Sequence, residues 1–130
     1  MIDISSNPHK ISLHLVEDRS AATLLPIINN VCSKDTIIHS DSWKSYNGIS
    51  RNFRFSHKTV NHTNNFVDPE TGVHTQNIEC LWNSCNYFIK QQKGIVGEKL
   101  EQFLCERMWK QNVAKSICFE AALNLLKEIY

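Results

Sequence analysis

From His74 to the end of the chain, apolar residues recur every three to four positions. That periodicity forces the second half to be helical, with one face of each helix covered. Ile78, Leu81, Trp82, Cys85 and Phe88/Ile89 form a first stripe, broken at Gly94 and Gly97. Leu100, Phe103, Leu104 and Met108 form a second, and Ala121, Ala122, Leu125 and Leu126 a third. Amphipathic helices need a partner layer, and the first half of the chain supplies one.

Ile11-Ser12-Leu13-His14-Leu15-Val16 alternates and predicts a strand, with residues 1–5 as its hairpin partner and Asn7-Pro8 at the turn. Thr23 is the predicted N-cap of a helix running to about Cys32, which leaves Pro26 in the first turn. Thr36-Ile37-Ile38-His39-Ser40-Asp41 is a β-branched run ending in an acid, read as a buried strand, and Ser42 to Tyr46 as a short helix. Another strand is expected near Lys58-Thr59-Val60-Asn61, then a long polar loop with Asp68-Pro69-Glu70-Thr71-Gly72 as a turn. Strands come first and helices last, with one helix between strands. The expected fold is therefore α/β (α+β), a mixed sheet with C-terminal helices. The 130 residues suit one domain: strands and one helix in 1–62, a loop over 63–73 and a helical part over 74–130.

Charge narrows the function. With 14 basic and 13 acidic side chains the formal net charge is +1, which argues against a stand-alone electrostatic binder of nucleic acid. An enzyme that borrows affinity from another domain remains compatible. No apolar stretch is long enough to span a membrane, and Met1-Ile2-Asp3-Ile4 opens no signal peptide, so an intracellular protein is expected. The five cysteines (Cys32, Cys80, Cys85, Cys105 and Cys118) are expected to be reduced and mostly buried. A zinc site at Cys80 and Cys85 is the sharper alternative, but no second Cys/His pair follows at finger-like spacing.

Several segments, in order along nearly the whole chain, resemble the ISXO-like DDE transposase domain family. They are Val16-Glu17-Asp18-Arg19-Ser20-Ala21-Ala22-Thr23-Leu24-Leu25-Pro26-Ile27-Ile28, Thr36 through Trp43, Tyr46-Asn47-Gly48, and a dense run from Val60-Asn61-His62 through Asn65 to Glu79. Trp82, Met108-Trp109-Lys110 and Phe119-Glu120 add landmarks. The resemblance implies a ribonuclease H-like fold and metal-dependent DNA transposition. Two Mg2+ or Mn2+ ions would sit between acids at the C-terminal edges of adjacent strands and on a nearby helix, one activating the attacking oxygen and the other steadying the leaving oxygen. Carboxylates suit this role because such hard cations favour oxygen ligands. The partners implied are transposon-end DNA, in a nucleus or nucleoid.

Asp41 matches the family's second aspartate, and its place at the end of an apolar strand agrees; a strand-end or N-cap Asp is the plain alternative. Glu79 is the preferred third acid and Asn77 its rival; two residues apart on a helix, they point to different sides. His39, two before Asp41, and His62 and His74, flanking the loop, are possible supporting groups, with structural hydrogen bonding the favoured role. Asp68 and Glu70 are explained as turn residues, and the three tryptophans as packing residues. Lys90 and Lys110 are weak candidates for DNA contact. Many relatives carry a base two turns after the third acid, where this chain has Asn86. The family's first aspartate belongs to a strand upstream of the opening hairpin; Asp3 falls on the second strand and is not promoted. The expectation is thus an N-terminally truncated, incomplete ribonuclease H-like sheet whose first, central strand is missing, and a domain inactive by itself. Open edges would invite self-association or a complementing chain.

Overall fold

The computed structural model describes residues 1–53, 55–61, 67–113 and 117–129. Among them lie five α-helices and two small two-stranded sheets, a mixed α/β composition. The elements are β1 (Ile2–Asp3), β2 (Lys10–Ile11), α1 (Ala21–Val31), β3 (Ile37–Asp41), a 3-10 turn (Lys44–Gly48), α2 (Ile49–Asn52), β4 (Ser56–Val60), α3 (Gln76–Gln91), α4 (Gly97–Asn112) and α5 (Cys118–Ile129). They fall into two compact units, Met1–Leu15 with Tyr87–Tyr130, and Val16–Asn86.

In the first unit, β1 and β2 form the expected antiparallel hairpin, Ile2 opposite Ile11 and Asp3 opposite Lys10, around a cis Asn7-Pro8 bond. The predicted strand over Ile11 to Val16 stops at Ile11. Its reason is a helix. The Asn112 side chain of α4 accepts from the Ile11 N–H at 2.7 Å and donates to the Ile11 carbonyl at 2.8 Å. Met108 Sδ takes the Leu13 N–H at 3.0 Å. Ile11 and Leu13 are buried, so side chains of α4 satisfy backbone groups that a neighbouring strand would otherwise pair. Gly94, at φ +103°, closes α3, its N–H reaching the Ile89 carbonyl at 2.9 Å, and marks the break read in the sequence. The α5 stripe finds less cover than its periodicity suggests: Phe119, Leu123, Leu125 and Leu126 are exposed.

In the second unit, β3 and β4 run parallel, with Ile37 opposite Ser56 and Asp41 opposite Val60. The α2 segment packs against β4, and α1 against the 3-10 turn. The core here is Leu25, Ile28, Ile49, Phe55, Val60, Val73, Leu81 and Cys85. Contrary to expectation, β3 is not a buried strand. Ser40 is buried, whereas Ile37, at 59% exposure, shares an open face with His39 and Asp41, because a two-stranded sheet covers one face only. The tryptophans are corrected too: Trp43 and Trp82 are exposed rather than packed inside. So are the thiols. All five cysteines are free, but only Cys85 is buried, and Cys80 and Cys105 are exposed.

Helix α1 begins earlier than predicted. Ser20, not Thr23, is its N-cap, the hydroxyl accepting the Thr23 N–H at 3.3 Å. Asp18 Oδ1 accepts the Ser20 N–H and the Thr23 hydroxyl, which fixes the entry. Pro26 therefore lies inside the helix and costs the Ala22 carbonyl its usual donor. Ser20→Ala is expected to destabilise the chain by about 1 kcal/mol, read from urea unfolding; an unchanged midpoint would show that the cap contributes nothing.

Candidate active site

The parallel pairing of β3 with β4 carries Asp41 to the C-terminal end of β3, where the chain leaves the sheet. Its carboxylate is exposed, and Oδ1 accepts the Trp43 N–H at 3.2 Å, which turns the chain toward the 3-10 segment. The Ser42 hydroxyl donates back to the Val60 carbonyl at 3.2 Å and ties that turn to β4. The Arg19 guanidinium lies 5.0 Å from the centroid of the Trp43 ring. The Ser45 hydroxyl donates to the Arg19 carbonyl at 2.8 Å, holding the approach to α1 against this turn. The Tyr46 phenol is pushed above its ordinary value by burial first and then by the negative charge of Asp41, with Arg19 acting the other way. Asp41 thus holds the Trp43 N–H and acts on Tyr46, and Trp43 carries Arg19 on its ring.

Glu79 sits in the first turn of α3 and is exposed. One of its oxygens accepts the hydroxyl of buried Thr75 at 2.9 Å, and its N–H bonds the Thr75 carbonyl. A carboxylate there also suits the positive end of the helix dipole. Asn77, its rival, is half-buried in the same turn. His39 shares the exposed face of β3 with Asp41, and its pKa is lowered by burial, then by Lys58, then by His74. His74 forms an isolated antiparallel bridge with Val67, and among the described residues its buried Nδ1 has no hydrogen-bond partner. His62 lies outside the described residues. Asp68 is a turn residue: Oδ1 accepts the N–H groups of Glu70 and Thr71 and the Thr71 hydroxyl, and Gly72 follows at φ +67°. Lys90 is exposed in the last turn of α3, and Lys110, exposed on α4, pairs with Glu106.

Within Val16–Asn86, the described residues hold no cluster of three His, Cys, Asp or Glu side chains able to take a metal ion. Oxygen donors of the right chemistry are present in Asp41 and Glu79, and both residues are exposed. Reading the sequence missed three neighbours. Thr75, which holds Glu79, was detectable as a hydroxyl residue four positions before it. Arg19 lay in plain sight inside the EDRSAAT run, while only the folded turn brings it onto Trp43 and Tyr46 to Asp41.

Residues 1–112 match the ISXO2-like transposase domain. The chain belongs to that family. A transposase-like protein of Haemophilus influenzae, described as uncharacterized, is 28% identical over 120 residues, which span 92% of this chain and 93% of that protein. No solved structure matches the chain. In this ISXO2-like domain, Asp41, Asn77, Glu79, His39 and His74 all fall inside the matched stretch, whereas α5 lies beyond it. Among the described residues, no helix is long and apolar enough to cross a membrane.

The same unit is expected to respond to pH. Burial also lowers the pKa of His57, whose Nε2 lies 2.8 Å from the Ser40 hydroxyl. His39 and His57 both hold a proton less well in the folded chain than in the unfolded one. Their contribution is therefore present above about pH 6.5 and lost as pH falls through the folded values. Urea midpoints are expected to fall between about pH 7.5 and 5, and His57→Gln to shrink the fall; a midpoint that rises on acidification would contradict this.

Proposed function

We propose that this chain is a DNA transposase-type domain of ribonuclease H-like ancestry, descended from enzymes that cut and join DNA strands with Mg2+ or Mn2+. The observation that carries the reading is the position of Asp41, an exposed carboxylate at the C-terminal end of β3 inside the matched family stretch. Asp41 and Glu79 are the metal ligands in this proposal, with Asn77 the alternative to Glu79, and His39 and His74 in support. His62 belongs to the same proposal on sequence grounds alone. When bound, the cations would activate the attacking oxygen and stabilise the leaving oxygen of an in-line displacement at phosphorus. The chain's own residues present the carboxylates and position the DNA. Asp41 is anchored by the Trp43 N–H, and Thr75 fixes the rotamer of Glu79.

In this proposal the chain contributes two acids of the catalytic set, Asp41 and Glu79. Fewer bridging carboxylates mean weaker cation binding and a higher barrier, so the 130-residue chain alone is expected to be inactive. Incubation with supercoiled DNA and Mn2+ is expected to give no nicking above background. Nicking that Asp41→Asn abolishes would show a complete site and overturn the inactivity.

A non-catalytic module used for protein association is the second reading. The exposed apolar residues of α5 and the near-neutral charge favour it. Light scattering across a dilution series separates the two: association that Phe119→Ser and Leu126→Ser remove, without manganese binding, supports the module.

A further inference from the structure

Arg19 is the cation that lies over the ring of Trp43, the residue two positions after Asp41. The adjacent acid, Asp18, is committed to its own turn: Oδ1 accepts the Ser20 N–H at 2.7 Å and the Thr23 hydroxyl at 2.9 Å. Among the described residues Arg19 makes no ion pair. Its backbone is fixed by the Ser45 hydroxyl, and its guanidinium lies over the Trp43 ring. The same Trp43 gives its N–H to Asp41. One residue therefore supports the guanidinium with its ring and the carboxylate with its backbone.

A guanidinium resting on an aromatic face keeps its N–H edge free, and that edge matches two oxygens of a phosphate. Trp43 also lowers the ordering cost of binding by holding the long side chain in place. Trp43 itself remains exposed, so the platform is open to solvent. We infer that Arg19, carried on Trp43, is a positioning residue that grips a DNA phosphodiester at the turn that follows Asp41. The inference rests on the DNA reading above and adds the residue that places the strand there. Lys90 and Lys110, the bases picked out along the helices, become secondary in this scheme, since Lys110 already has Glu106 for a partner.

The test is fluorescence anisotropy of a labelled duplex against the full 130-residue chain, from low to moderate salt without divalent cation. Arg19→Gln is expected to weaken binding roughly 3- to 10-fold and to reduce the salt slope by about 1, as removal of a single phosphate-binding cation should. Arg19→Lys should restore the slope but only part of the affinity, because the fork and the stacked plane are gone. Trp43→Leu should reduce affinity with the charge still present. Arg19 is exposed, and unchanged circular dichroism would confirm that each variant folds. If the wild-type chain binds duplex and Arg19→Gln binds with the same affinity and slope, the role of Arg19 is overturned and the DNA reading stands. If the wild-type chain binds no duplex even at low salt, the DNA reading falls and takes Arg19 with it.

Discussion

Ile49→Ala is expected to destabilise the chain by about 2–5 kcal/mol. Ile49 is 0% exposed and opens α2, the short segment packed against β4 and the 3-10 turn. Truncation there removes apolar surface from a core built from a handful of side chains, and neighbours on different elements cannot all shift to fill the space. A domain this small has roughly 5–15 kcal/mol of stability in total, so a loss of that size moves the urea midpoint visibly. The position also sits close in sequence to Asp41. Val60, equally buried, is the register partner of Asp41 across the sheet. Loosening this core should therefore raise amide exchange along β3 and β4 together. A midpoint unchanged within error would mean that the 3-10 segment and α2 are not packed as described.

Asn112→Ala is expected to cost about 2–4 kcal/mol, through the first unit rather than the second. One side chain serves two backbone groups of Ile11, an N–H and a carbonyl, from the exposed Asn112 to a residue that is itself 4% exposed. Removing it leaves a part-buried donor and acceptor without this partner, each costing about 1–3 kcal/mol less whatever water recovers. Asn112→Asp is the sharper variant. It keeps the acceptor for the Ile11 N–H but sets a carboxylate against the Ile11 carbonyl. Hydrogen exchange at Ile11 and Leu13 should accelerate in both variants. Unchanged exchange at Ile11 would show that the side chain does not cap this strand.

How much of the fold is legible in the sequence depends on the range of the interactions. Local signals survive folding: the run from Thr36 to Asp41 becomes β3 with its acid last, and the stripe from Ile78 to Cys85 becomes α3. Departures arise where distant residues intervene. Nothing near Ile11 announces that Asn112 and Met108 will take its edge, so the alternation through Val16 overstates the strand. Thr23 and Ser20 are both good caps, and Asp18 decides between them by binding both and starting the helix at Ala21. The size of Trp43 suggests an interior position, yet a guanidinium on its ring accounts for its place at the surface. The acids of the proposed site are legible in the family pattern, and their environment is not. The Thr75 hydroxyl on Glu79 and the Arg19–Trp43 pair beside Asp41 exist only once the turns are folded.

Titration of the purified chain with Mn2+, followed by electron paramagnetic resonance, addresses the proposed site without needing turnover. Weak, saturable binding is expected for the wild-type chain, and its loss in both Asp41→Asn and Glu79→Gln. Identical titrations for all three proteins, whether each binds or none does, would contradict a cation shared by Asp41 and Glu79.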